Sequence, residues 1–168
     1  TNENYTNNAL DAILYGNPSG FYPQAKDGDL IVYVSEVRGM PGDGFTVEQK
    51  AKIAESAYLA GVDIEGSQFS TTTEISPASG FTNVYKYQSS TASNIHGMNF
   101  DGTDLTAYKT VTFAIKTASF NFNGETTKEL NDWMIFTLTQ TSTAMWDLKV
   151  THNGETVYTK TGLNGAYN

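Results

Sequence analysis

The sequence predicts an all-β fold, an antiparallel β-sandwich forming a single domain over residues 1–168, with one helix inserted at about residues 46–60. Ten Tyr and nine Phe, with abundant Thr, favour strands, because flat and branched side chains pack well on a pleated, half-buried sheet. Short segments of alternating apolar and polar residues, separated by turns, follow one another through the second half of the chain. Strands and helices do not alternate, which disfavours a parallel sheet.

The first half contains few strand signals. Residues 1–9 are polar and rich in Asn, which is typical of a loose terminus or linker, and residues 10–15 could form a short strand. Residues 30–37 (LIVYVSEV) are almost continuously apolar and predict a strand that is buried on both faces.

The helix is predicted from its caps and its periodicity. Thr46 and Gln49 have the spacing of a capping box, and Gly61 stands where a left-handed C-terminal residue is favoured. An apolar stripe at helical spacing is formed by Val47, Ala51, Ala54 and Tyr58.

Strict alternation predicts the later strands and their buried faces. The groups expected to share a face are Phe81, Tyr85 and Tyr87, then Val111, Phe113 and Ile115, and then Met134, Phe136 and Leu138. Trp133 and Ile135 lie on the face opposite the last group.

The final hairpin has the clearest local signature. Asn153-Gly154 predicts a two-residue type I′ turn. That register pairs His152 with Glu155 and Val150 with Val157. It also places Leu148 and Trp146 on the Val150 face.

Charge and cysteine content exclude several classes of function. A net charge of −8 with no basic cluster disfavours nucleic acid as a partner. The absence of Cys removes disulfides, thiolate nucleophiles and thiolate metal sites. No apolar run reaches the length of a membrane span, and the start at Thr1 is interpreted as that of a mature or excised segment of a larger polypeptide.

One segment resembles a known family. Residues 99–116 (NFDGTDLTAYKTVTFAIK) resemble the loop and central strand of galactose-binding-like jelly rolls, a fold shared by many bacterial carbohydrate-binding modules. The resemblance covers about residues 81–160. It implies a jelly-roll sandwich, a non-catalytic module of a secreted or cell-surface protein that docks on a polysaccharide, and often one structural calcium.

Sugar recognition needs flat aromatic faces and planar polar side chains. Trp133 is the first candidate, because it is predicted to share a strand face with Ile135 and follows a polar pair. Aromatic stripes on strands are more often core, which is the competing interpretation. The full set of candidate ligand contacts is Trp133, Trp146, Tyr85, Tyr87, Gln88, Asn131 and Asp132.

Acidic residues offer two further hypotheses. Calcium could bind at Asp101 and Asp104, or at Asp27-Gly28-Asp29, since turn carboxylates are hard oxygen ligands. Glycoside hydrolysis needs two carboxylates at a defined separation, and the candidates are Asp101, Asp104, Glu125, Glu129 and Asp132. We expect no enzyme, because the sequence contains no zinc-hydrolase or nucleophile-elbow motif.

Two functions from different classes therefore remain open. The first is a carbohydrate-binding module of an extracellular or cell-surface protein, with no required cofactor. The second is a structural subunit of an extracellular assembly, such as a filament, surface layer or phage particle, joined by homotypic β-sheet contacts.

Overall fold

The computed structural model describes five stretches of the chain, which form eleven strands and contain no helix. These stretches are residues 21–40, 69–90, 109–122, 126–142 and 145–164. Within them the fold is all-β with antiparallel pairing throughout, as predicted. The predicted helix at 46–60, the strand at 10–15 and the terminus at 1–9 lie outside the described residues.

The strands form two sheets. Their bounds are β1 Phe21–Gln24, β2 Leu30–Val34, β3 Arg38–Met40, β4 Ser70–Thr71, β5 Tyr85–Ser89, β6 Thr110–Thr117, β7 Ser119–Phe122, β8 Thr126–Glu129, β9 Met134–Ser142, β10 Met145–His152 and β11 Glu155–Asn164. The small sheet has the order β1-β7-β8, and the large sheet has the order β11-β10-β9-β6-β2-β5-β4, with β3 also pairing with β6.

Strands β6 and β9 at the centre of the large sheet confirm the predicted alternation. Val111, Phe113 and Ile115 of β6 are buried, and so are Met134, Phe136 and Leu138 of β9. The two sets pair directly in register, with Phe113 opposite Phe136. Their rings stack with centroids 5.0 Å apart. The centre of the core is therefore a cross-strand apolar ladder.

The strand predicted at residues 30–37 is interrupted, and its two faces differ. Val34 pairs with Ile115 and Arg38 with Thr112, so three residues of this chain segment face two of β6. The buried Ser35 hydroxyl accepts the Ala114 N–H (2.7 Å) at this bulge. The prediction of burial on both faces was wrong for β2, where buried and half-buried residues alternate. An alternating strand in the middle of an antiparallel sheet can leave one face partly open.

The bulge has a consequence for the acidic residue that follows Ser35. Strict alternation from Val34 would place Glu36 on the core face. The extra residue gives that position to Val37, which joins the apolar core. Glu36 remains 4% exposed, but it is bound by polar partners at the edge of the core.

Aromatic contacts join the two sheets. Phe120 and Phe122 of β7 contact Phe136 of β9, with centroids 5.4 and 6.4 Å away. Phe122 also stacks on Tyr158 of β11 at 4.6 Å. The main core therefore includes side chains of both sheets.

The final hairpin confirms the predicted turn and corrects part of its register. Asn153 and Gly154 both have positive φ, at 51° and 80°, and His152 pairs with Glu155 as predicted. Trp146, Leu148 and Val150 are buried together. The predicted pairing of Val150 with Val157 was wrong. A bulge makes Tyr158 the partner of Val150, which puts the Tyr ring in the core.

The described stretches contain no helix, and so they contain none that could span a membrane.

Candidate functional site

A polar groove lies at the β4 end of the large sheet. Its volume is about 640 Å³, which is within the usual size range of small-ligand sites. The lining residues come from β4 and from the segment that leads into β5: Thr71, Thr72, Thr73, Ile75, Ser76, Pro77, Thr82, Asn83 and Val84. The lining residues thus carry five hydroxyls, one carboxamide and three apolar side chains, and we call this site the threonine groove.

The buried Glu36 carboxylate anchors part of the backbone that lines the threonine groove. Its Oε2 accepts the Thr82 N–H at 2.9 Å, and its Oε1 accepts the Asn83 N–H at 2.9 Å. Hydrogen bonds to an ionised group are among the stronger ones in proteins. The backbone of two lining residues is therefore attached to the bulge between β2 and β3.

Arg38 completes this anchor. Its Nε donates to Glu36 Oε2 at 2.8 Å, and its Nη2 donates to the Thr82 hydroxyl at 3.0 Å. The guanidinium also lies over the Phe81 ring, 5.6 Å from the centroid. Phe81 was predicted to share a strand face with Tyr85 and Tyr87. That prediction was wrong, because β5 begins only at Tyr85 and Phe81 lies in the preceding loop.

A second anchor holds the groove loop, which is the connection between β4 and β5 over residues 72–84. Glu74 Oε1 accepts the Tyr33 hydroxyl at 2.7 Å and pairs with Lys86 Nζ at 2.7 Å. Tyr33 and Lys86 are direct cross-strand partners on β2 and β5. Hydrogen bonds from Lys86 and then Tyr33 lower the pKa of Glu74, and the same contacts with Glu74 raise the pKa of Lys86 and of Tyr33. Glu74 thus stays ionised at a lower pH than a free Glu.

Two further hydrogen bonds hold the groove loop in place. The Trp133 indole N–H donates to the Ser76 carbonyl at 3.3 Å, and the Thr72 N–H donates to the Val84 carbonyl at 3.0 Å. The loop is consequently tied to four places, namely the β2–β3 bulge, the outer face of β2 and β5, the connection before β9, and its own return into β5. A pre-organised loop loses less conformational entropy when a ligand binds.

Of the predicted aromatic contacts, Trp133 and Tyr85 are adjacent to the groove, Tyr85 as the cross-strand partner of Thr71. Trp133 reaches the groove segment from a distant part of the chain. It precedes β9 rather than lying within it, is half-buried, and contacts the groove segment through its indole N–H. Trp146 is 2% exposed and belongs to the core, so it offers no surface platform. Tyr87 is also buried, against Phe69, while Tyr85 packs partly buried against the core. Burial therefore favours the core interpretation for Trp146 and Tyr87.

The predicted polar contacts are exposed but lie outside the set that lines the groove. Gln88 donates its amide to Asp29 Oδ2 at 2.9 Å. Asn131 and Asp132 are exposed in the connection to β9, where Asp132 Oδ1 accepts the Trp133 N–H at 2.8 Å. Asp132 is thus a neighbour of Trp133 and orients the backbone there.

Of the residues predicted for calcium binding or glycoside hydrolysis, Asp101, Asp104 and Glu125 lie outside the described residues. Glu129 is exposed and pairs with Lys26 at 2.8 Å. Within the described stretches, no cluster of three or more His, Asp or Glu side chains could hold a metal ion.

Sequence reasoning missed the threonine groove, although two signals were present. The run Ser70-Thr71-Thr72-Thr73 is a concentration of hydroxyls in a segment with no clear periodicity. Glu36 is the one charged residue in the otherwise apolar or small segment 30–37. A carboxylate in such a segment must find partners when it is buried, so it predicts a polar contact with another part of the chain.

Comparisons of this chain with protein-family models, curated proteins and solved structures find no match.

Proposed function

We propose that this chain is a non-catalytic carbohydrate-binding module of a secreted or cell-surface protein, and that the threonine groove is its sugar site. The observation that carries the proposal is the lining, which combines residues bearing hydroxyls and a carboxamide with apolar residues on a backbone held by hydrogen bonds. Sugars present the matching surface, since their rings have hydroxyl edges and apolar C–H faces.

The hydroxyls of Thr72 and Thr82 are oriented for this role. Thr72 Oγ1 accepts the Glu74 N–H at 3.2 Å, and Thr82 Oγ1 accepts from Arg38 at 3.0 Å. A hydroxyl that already accepts a hydrogen bond still has its O–H to donate. Both are therefore suited to donate to a ring or hydroxyl oxygen of a sugar, while the Asn83 carboxamide can both donate and accept.

The architecture supports the same proposal at the level of fold. Phe120 and Phe122 link the small sheet to Phe136 and Tyr158 of the large sheet, which is the type of contact that a β-sandwich requires. We propose a jelly-roll sandwich on this basis and on the resemblance of residues 99–116. In such a module the groove lies at the sheet edge, where a polymer can enter.

The assembly alternative has less support. β11 and β4 end the described strand order of the large sheet, and β11 is the longer of these two edges that a neighbouring subunit could extend. Its pairing with β10 contains two register shifts, and Gly162 adopts a positive φ of 71° at one of them. Bulges of this kind disturb the regular hydrogen-bond row that an incoming strand needs.

Affinity gel electrophoresis against starch, β-glucans, xylans, mannans and pectins tests the proposal. We expect one polymer to retard the chain and Asn83→Ala to weaken that binding about tenfold, equivalent to about 1.4 kcal/mol. Gln88→Ala is the matched control, because it removes an exposed carboxamide outside the groove lining and should leave binding unchanged.

Trp133 is the more exposed of the two Trp residues, so its emission should change on binding and Trp133→Phe should remove the change.

Two results would contradict the proposal. If Gln88→Ala abolished binding and Asn83→Ala did not, the sugar site would lie at Gln88 and away from the groove. If no polymer retarded the chain, carbohydrate binding itself would be wrong. Light scattering at high concentration would then test the assembly subunit.

A further inference from the structure

The described lining of the threonine groove contains no ionisable side chain. All nine residues are Thr, Ser, Asn, Ile, Val or Pro. A carboxylate, sulfate or ammonium group placed there would lose hydration without gaining a charged partner, which is costly. Uncharged hydroxyls would lose less, because Thr and Asn side chains replace their hydrogen bonds to water.

Four charged residues in the described part of the chain lie in or contact the groove loop, and they neutralise one another in pairs. Glu36 pairs with Arg38 at 2.8 Å, and Glu74 pairs with Lys86 at 2.7 Å. Each carboxylate is therefore matched by one cation, and these four residues contribute no net charge. All four side chains are also engaged in holding the loop.

The charge of the whole chain acts in the same direction against anions. The net charge is −8, so the long-range field repels an acidic polymer, and no opposing cation lines the described groove. A cationic polymer would be attracted at long range, but it would find no carboxylate in that lining to receive its ammonium groups.

We infer that the threonine groove selects an uncharged, hydroxyl-rich glycan and discriminates against uronic-acid, sulfated and amino-sugar polymers. This inference rests on the proposed function and specifies its ligand class. The binding should depend little on salt, because no ion pair forms between the protein and the ligand.

Matched polymer pairs provide the first test. The dissociation constants of the full chain are measured for hydroxyethylcellulose against carboxymethylcellulose, galactan against polygalacturonate, and β-glucan against chitosan, at about 0.01 M and about 1 M salt. We expect binding to a neutral member of the set, with a dissociation constant that changes less than about threefold between the two salt concentrations. Binding only to a charged member, lost at high salt, would overturn the inference and leave carbohydrate binding intact. Binding to no polymer would overturn the proposed function and, with it, this inference.

Charge variants of Thr73 provide the second test. Thr73 lines the groove with an exposed side chain, so either charge can be introduced without burying it. For a neutral glycan, Thr73→Lys and Thr73→Glu should change the dissociation constant in the same direction and by similar factors. For a charged glycan the two variants should act in opposite directions, and high salt should remove the difference. The second pattern would overturn the inference even if both variants were less stable, since the comparison is between two substitutions at one site.

Discussion

The contact between the two sheets and the contacts that hold the groove loop consist of different interactions. Phe120, Phe122 and Phe136 are fully buried where the sheets meet and contact one another through their rings. The groove loop is held instead by hydrogen bonds from its backbone to Glu36 and by the contacts of its own Glu74 with Tyr33 and Lys86. One region is stabilised by removal of apolar area from water, and the other by charged polar contacts.

This difference indicates which region should respond to substitutions in the core and which to changes of charge or pH. Burial of apolar area is nondirectional and does not depend on pH, so the sheet contact should set the global stability of the fold. Charged hydrogen bonds depend on geometry and ionisation, so they fix the position of a loop and can be changed one group at a time. The groove is therefore the region in which substitution can alter binding more than folding.

Phe136→Ala should give the largest loss of stability. The ring is fully buried and contacts Phe113, Phe120 and Phe122, so truncation leaves a cavity at the junction of the sheets. We expect the free energy of unfolding to fall by about 3–5 kcal/mol, measured by denaturant titration. Thr159→Ala on the exposed side of β11 is the control and should change it by less than about 0.5 kcal/mol. Similar losses in both variants would show that the aromatic cluster does not set the stability.

Glu36→Gln should have a smaller effect on stability and a larger one on the groove. The amide group cannot accept hydrogen bonds at its nitrogen, so one of the partners at Thr82, Asn83 or Arg38 loses its acceptor. We expect a loss of about 1–3 kcal/mol in the free energy of unfolding, together with weaker glycan binding.

Glu129→Gln is the matched control for this substitution. Its partner is Lys26, and the two side chains are 70% and 48% exposed. Ion pairs as exposed as this one contribute little to stability, because water and salt screen them. Equal effects of Glu129→Gln and Glu36→Gln on glycan binding would contradict the role of Glu36 as the anchor of the groove.

Most of the predicted strands were correct where alternation was strict. Residues 110–117 form β6 with the predicted buried face, because Val111, Phe113 and Ile115 leave only one way to cover the apolar side. Two of the errors in the described residues occur at bulges, near Ser35 and at Val157, and a third occurs at Phe81, which lies in the loop before β5. A single extra residue changes which side chains face the core, and nothing in a period-two pattern marks where it is inserted.

The candidate site was less predictable than the fold. Trp133 was predicted to share a strand face with Ile135, but it precedes β9, and its indole N–H contacts the groove segment. Its role as a ligand contact stays a prediction. Trp146 and Tyr87 could not be separated from core aromatics by residue type, and burial places them in the core. The groove itself depends on Glu36 meeting Thr82 and Asn83, which are 46 and 47 residues away in sequence. Such a long-range polar contact has no local pattern.

The smallest expected effect is a pH-dependent loosening of the loop at Glu74. The lowered pKa of Glu74, caused first by Lys86 and then by Tyr33, means that the folded chain binds a proton there less readily than the unfolded chain. Its stabilising contribution is therefore present above the pKa of the unfolded chain and is lost as pH falls through the folded value. Protection of the backbone amides of residues 72–76 against exchange should fall in that acidic range, while protection in β6 and β9 should not follow it.

Carboxyl NMR titration of Glu74 separates the two partners. Lys86→Met should raise the pKa of Glu74 more than Tyr33→Phe does, because the Lys86 hydrogen bond is the larger cause and its charge attracts the carboxylate as well. Since Glu74 is partly open to water, high salt should reduce the Lys86 contribution and leave that of Tyr33 nearly unchanged. A Glu74 that titrates at its usual value, or that responds equally to both substitutions, would show that the ion pair does not hold the loop. The groove loop would then depend on its contacts with Glu36 and Trp133 and on its own hydrogen bond from Thr72 to Val84.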